Sequence, residues 1–112
     1  MATGRLGAVD VTSGSTYTLL YTCPATTFTV ANVSICNRTA NAVQLRLALT
    51  TGLPPATPAN GEFLEFDTVL TGNGVLERTG IVVDATNKYL SIFTPTAAAL
   101  SVVVYGIETS TT

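Results

Sequence analysis

Hydrophobic positions along this chain recur at every second residue. The clearest run is AVQLRLALT, where Val43, Leu45, Leu47 and Leu49 fall on one side and Gln44, Arg46 and Ala48 on the other. Successive side chains of a β-strand point to opposite faces, so this period predicts a strand with one face on a core. TYTLLYT (16–22), TFTVANVSICN (27–37), EFLEFDTVL (62–70), VLERTGIVV (75–83), YLSIF (89–93) and ALSVVVYGIE (99–108) extend the reading. No window of eleven or more residues holds a helical period, and the abundant threonine and valine suit strands. Turn residues punctuate the runs: Pro24, NRTAN (37–41), three prolines within 54–58, and DATNK (84–88). Asn73-Gly74 predicts a hairpin joining 63–70 to 75–83, because both residues tolerate positive φ. Gly80 predicts a bulge or bend in the second arm.

About eight short strands at this spacing predict an all-β fold, an antiparallel two-sheet β-sandwich of jelly-roll-like form. Residues 1–14 hold three glycines and little to bury, and read as an extended N-terminal arm. Residues 15–108 read as the sandwich, and 109–112 as a frayed C-terminal tail.

At 112 residues the chain is one domain. Charged residues are 11% of it, against roughly 25% in an ordinary soluble domain. Threonine, 21 residues, fills the deficit. Such a surface is wetted but repels its neighbours weakly, which suits a chain packed among others. A net charge of −2 argues against a nucleic-acid partner, which needs a basic face. The longest strongly apolar run, Leu100 to Ile107, is far short of the ~18–20 residues of a spanning helix, so no membrane partner is expected. MATGRLGAVD lacks the apolar core of a secretory signal, which predicts a product made in a cytoplasm.

Candidate chemistry is thin. The chain has no histidine, which excludes Ser-His-Asp and Cys-His machinery. Cys23 and Cys36 read as reduced thiols acting as small hydrophobes, with a disulfide the alternative if their strands pair side by side, and a metal site built on them would lack further soft ligands. No phosphate-binding glycine motif occurs. The expectation is a protein with no enzymatic activity, cofactor or metal. NVS at Asn32 and NRT at Asn37 match the glycosylation pattern, which carries no weight without a secretory signal.

The few charges hold the remaining information. In EFLEFD, Glu65 and Asp67 fall on the same face of a regular strand, two residues apart. The plainer reading is a solvated strand face; a glycosidase pair or part of a calcium site are the sharper ones. Glu77 and Arg78 are adjacent, so they project to opposite faces and each needs its own partner. They are either edge charges that discourage stray strand pairing or subunit contacts. Arg46, on the polar face of the cleanest strand, is either solvated or bridged to Glu65 or Asp67 of a partner. With Arg5, these six residues form the set of candidate subunit contacts.

The phrases GRLGAVDVTSGSTYTLLYTCPA, VANVSICNR, NGVLERTGIVV and VVVYGIE resemble small virion proteins of tailed bacteriophages, especially phages of cyanobacteria. The resemblance spans most of the chain as short phrases and composition. It implies a β-sandwich that decorates the head as a cement protein, commonly a homotrimer at local three-fold points, bound to the major capsid protein. Similar sandwiches in tails, baseplates and head fibres are the implied alternative, and a carbohydrate-binding host-recognition module is a further one. Under the first reading, the arm can add a strand to a neighbour's sheet edge.

Overall fold

Eight strands form in the computed structural model, which describes residues 3–111. They are β1 (Thr3–Val11), β2 (Thr18–Thr22), β3 (Thr27–Asn37), β4 (Val43–Thr50), β5 (Phe63–Leu70), β6 (Val75–Val83), β7 (Tyr89–Phe93) and β8 (Leu100–Ser110). Two four-stranded sheets result, ordered β1-β8-β3-β6 and β2-β7-β4-β5. All strand pairs are antiparallel. β1 pairs with β8, β2 with β7, β3 with β6 and β4 with β5, so the chain is one long hairpin rolled into two layers, the jelly-roll arrangement.

The alternating apolar residues meet between the layers. Val33, Ile35, Val102 and Val104 of the first sheet pack with Leu45, Leu47, Leu90 and Ile92 of the second, all essentially without solvent contact. At about 25 cal/mol per Å² of apolar area, this burial is the main force holding the layers together. One end is closed by Asn37, fully buried. Its amide nitrogen lies within donating distance of the Asn41, Leu70 and Thr71 carbonyls, and its oxygen accepts from the Thr39 amide and hydroxyl. That engagement closes Asn37 to modification in the folded chain.

Three expectations are corrected. Residues 1–14 are not a free arm over their described part, because Thr3–Val11 is an edge strand. The flank of β8 would otherwise leave a row of backbone groups unpaired, and β1 satisfies it from Thr3↔Ile107 to Val11↔Leu100. Leu6 and Val9 pack on the core and Val11 is fully buried. The C-terminal tail is likewise held: β8 runs to Ser110, and the Thr111 amide donates to the Thr26 carbonyl at 2.9 Å. Residues 1, 2 and 112 lie outside the described residues. Finally, Asn73-Gly74 makes a turn, with Asn73 at φ 56°, but not a hairpin. β5 and β6 belong to different sheets, and the turn is an arch between them. The Asn73 amide donates to Thr39 and the Asn37 amide to the Gly74 carbonyl, tying the arch to the 37–41 loop instead of to a partner arm.

The irregularities are distributed unevenly. β1, β2 and β6 each contain one extra residue against their partner and β5 contains two, whereas the central pairs β3·β8 and β4·β7 keep unbroken register. All four bulged strands are sheet edges. Bulges twist an edge away from flat pairing with another chain.

Candidate interaction surfaces

Glu77 and Arg78 are sorted by the bulge of β6. Ala31 pairs with Ile81 but Val33 pairs with Arg78, so Thr79 and Gly80 together oppose Asn32. Gly80 takes φ 70° and donates its amide to the Asn32 side chain at 3.1 Å. Ile81 and Val83 face the core. Simple alternation would then send Glu77 inward as well; the extra residue reverses the parity and turns Arg78 inward instead. From there Arg78 reaches across to β5, donating to the Glu65 carboxylate and to the Leu64 carbonyl. This ion pair clasps the two sheets at one edge of the sandwich.

A second bulge separates the two carboxylates of EFLEFD. Leu45 pairs with Thr68 and Leu47 with Glu65, leaving Phe66 and Asp67 opposite Arg46. Asp67 adopts φ 51°, and the expected shared face of Glu65 and Asp67 is thereby broken. Glu65 turns toward Arg78 and accepts from the Thr68 hydroxyl at 2.8 Å, while Asp67 lies on the outer face. Each carboxylate has its own arginine, so the glycosidase pair and the calcium site are not formed. Glu62, the third carboxylate, folds back on the proline loop and accepts from the Thr51 and Ala59 amides.

On the outer face of the second sheet, Asp67 accepts from Arg46 Nε at 2.7 Å. The guanidinium lies 4.2 Å from the Phe66 ring centre and 4.9 Å from that of Phe93. Tyr17, just before β2, stacks at 4.8 Å on Phe93 and accepts from Arg46 Nη1. Phe63 joins Tyr17 and Phe66. Asp67 first, then the Tyr17 hydroxyl, push the guanidinium above its already high ordinary value, so the charge is permanent. Arg46 is therefore paired within its own chain. Ala48 and Ser91, on this same outer face, are fully buried, which marks a second, smaller apolar cluster outside the main core. Phe66 and Val69 stay exposed at its margin.

A polar clasp joins the layers elsewhere. The Tyr21 hydroxyl on β2 donates to the Glu108 carboxylate on β8 and lies 2.8 Å from the Thr29 hydroxyl on β3. Burial first, and then the Glu108 carboxylate, push the Tyr21 phenol up. Cys23 is buried beside Thr29, within donating distance of the Thr27 and Val83 carbonyls, and burial pushes its thiol up as well. It is 3% exposed, a poor nucleophile. Both cysteines are free thiols, Cys36 on the outer face of the first sheet.

That outer face holds the last two candidates. Arg5, on β1, and Glu77, on β6, are exposed and form no salt bridge among the described residues. The register aligns Val82, Val30 and Ile107 in one row across the sheet, with 53%, 41% and 57% of their surfaces exposed. Phe28 borders the row on β3. Sequence reasoning missed both the ring cluster around Arg46 and this row. The alternation of each strand was visible, but which strands lie side by side was not.

Among the described residues no group of three or more metal-ligating side chains gathers, no enclosed pocket opens, and no helix is long and apolar enough to cross a membrane. No protein-family model matches the chain, and no curated protein matches it.

Proposed function

We infer that the chain is a non-enzymatic structural protein of a tailed-phage virion. It is a capsid decoration protein that associates with itself as a homotrimer, binds major capsid protein subunits and cements the head, after synthesis in the host cytoplasm. The observation that carries this reading is the placement of large apolar side chains on both outer faces of the sandwich: Phe28, Val30, Val75, Val82 and Ile107 on one, Phe66, Val69 and Leu19 on the other. Single exposed hydrophobics are ordinary, but aligned ones on two opposite faces suit a molecule held between neighbours. Many copies on a preassembled lattice add modest contacts by avidity. The resemblance of the sequence phrases to phage virion proteins points the same way.

Electron microscopy of particles carrying the labelled protein tests it. Density over the head shell is the expected result; density at the tail, baseplate or a fibre gives the alternative structural role, and absence from the particle ends both. A second reading has its own observation. Phe66 presents an exposed ring beside the Arg46–Asp67 pair, the pairing of apolar face and planar hydrogen-bonding groups that suits a sugar ring. Binding on a glycan array that is lost in Phe66→Ala establishes a host-recognition module in place of a cement.

A further inference from the structure

Four of the six candidate charges are engaged within the chain, Arg46 with Asp67 and Arg78 with Glu65. Arg5 and Glu77 remain, on one outer face and at its opposite edges, β1 and β6. The register sets them one ladder step apart. Arg5 is level with Tyr105 and Asn32; Glu77 is level with Ser34, Val103 and Ala8. That step is roughly 7 Å, within reach of two extended side chains. The other charges on this face, Asp10 and Arg38, bind each other at 2.6 Å. A face with a cation on one edge and an anion on the other is complementary to the next copy in a ring, where the β1 edge of one meets the β6 edge of the next.

We propose that this face is the contact surface between copies: three copies close into a triangular prism around an axis parallel to the strands, with Arg5 of each paired to Glu77 of the next. The inference rests on the reading of the chain as a self-assembling virion protein and adds to it the face and the pair. Four strands about 4.8 Å apart make a face roughly 19 Å wide, and three such faces in a triangle stand about 5.5 Å from their common axis. Packed sheets lie about 10 Å apart, so the side chains of one sheet fill about 5 Å. The triangle therefore closes without a void. The central strands β3 and β8 turn Val30, Ile107, Val103, Tyr105 and Cys36 toward the axis, and Val30 and Ile107 leave water. The bulges in β1 and β6 discourage backbone pairing where the copies meet, which leaves the join to side chains.

Sedimentation equilibrium of the full chain at micromolar concentration reads the assembly directly. Arg5→Glu and Glu77→Arg each place like charges together at every corner, and each weakens self-association by at least about tenfold. The two combined restore it. Val30→Glu, exposed in a single copy, gives a monomer that melts cooperatively near the temperature of the unaltered monomer. If all four variants remain trimers, the face and the pair are wrong while the homotrimer stands. If the unaltered chain is a monomer, both are wrong. A dimer that is lost in the single swaps and regained in the double keeps the Arg5–Glu77 contact and overturns the prism.

Discussion

On the outer face of the β2-β7-β4-β5 sheet, Arg46 lies between the Phe66 and Phe93 rings, with Asp67 opposite it across the ladder and the Tyr17 hydroxyl beside it. On the outer face of the β1-β8-β3-β6 sheet, Arg5 and Glu77 stand apart at the two edges, level with Asn32 and Ser34 of β3, and the exposed row of Val82, Val30 and Ile107 lies one step beyond Arg5. Both faces belong to a chain with only twelve charged residues, five basic and seven acidic. The difference lies in where the neighbours come from. Arg46 is locked by rings that its own chain supplies, so its charge closes the fold. Arg5 and Glu77 lie beside an exposed apolar row and form no salt bridge among the described residues of their own chain, so their charge faces outward. Bulges at the edges decide which is which, because an extra residue reverses the parity of everything beyond it.

Gly80→Val breaks that distinction most severely. A β-branched residue resists φ 70°, and a regular strand that keeps every residue sends Glu77 inward toward Glu65 and Arg78 out. Two carboxylates then meet at the edge where an ion pair stood, and Leu76 leaves the margin of the core. The other course is to keep the bulge and hold valine in the left-handed region, so the expected loss is about 1–3 kcal/mol. Chemical denaturation measures it. Deleting Gly80 is the control: it removes the bulge but leaves Arg78 opposite Val33 and Ile81 opposite Ala31, so Arg78 stays inward. A valine variant of unaltered stability means that parity at β6 does not sort the charges. Glu65→Ala is the milder version. It leaves Arg78 with only the Leu64 carbonyl and costs about 1 kcal/mol, the low figure reflecting an arginine that is 40% exposed and can turn to water.

The same parity argument explains how much was legible in the sequence. The sandwich was, because Val43, Leu45, Leu47 and Leu49 alternate without interruption and β4 lies in the middle of its sheet. The bulge at Gly80 was also legible, since glycine signals the backbone it adopts. The bulge at Asp67 was not: a carboxylate at φ 51° leaves no mark in the spelling EFLEFD, and the strand reads as regular. The arm was misread for a related reason. Gly4 and Gly7 make TGRLGAVDV look like a linker, yet both sit within a paired strand, Gly7 passing close to the Leu20 carbonyl and Gly4 taking a φ of 91°. The arch at Asn73-Gly74 shows the limit of local signals. The dipeptide specifies a turn, but only the partners of Asn37 and Thr39 decide that the chain crosses between layers.

Tyr21 sharpens the comparison from inside the sandwich, since its hydroxyl joins the two sheets as Arg78 does at the edge. Burial and the Glu108 carboxylate push the phenol above its ordinary value, near 10. The folded chain therefore holds this proton more tightly than the unfolded chain does. The stability it contributes is complete below about pH 10 and is lost as pH rises beyond that. Tyr21→Phe lacks this term and costs about 1 kcal/mol at neutral pH, by removing the hydroxyl that donates to Glu108 and pairs with the Thr29 hydroxyl. Denaturation of both proteins between pH 8 and pH 12 tests it: the gap between them narrows above about pH 10. A gap that stays constant means that the Tyr21 proton carries none of the alkaline loss.

The smallest effects set the two faces directly against each other. Arg46→Ala empties the slot between Phe66 and Phe93 and frees Asp67, so the monomer's Tm falls by a few degrees. Arg46→Lys does not recover it, because an ammonium neither stacks flat between two rings nor donates twice to one carboxylate. Arg5→Ala removes a side chain that touches no charge of its own chain, and leaves monomer stability within about 0.5 kcal/mol of the unaltered protein. Thermal melts at a concentration low enough to keep the chain monomeric separate the two. If Arg5→Ala destabilises the monomer as much as Arg46→Ala does, the charges of the first face also serve the fold, and the division between an inward-committed and an outward-facing side of the sandwich fails. If only Arg46→Ala shifts the melt, the charge of Arg5 serves no part of the fold and is free for a contact outside its own chain.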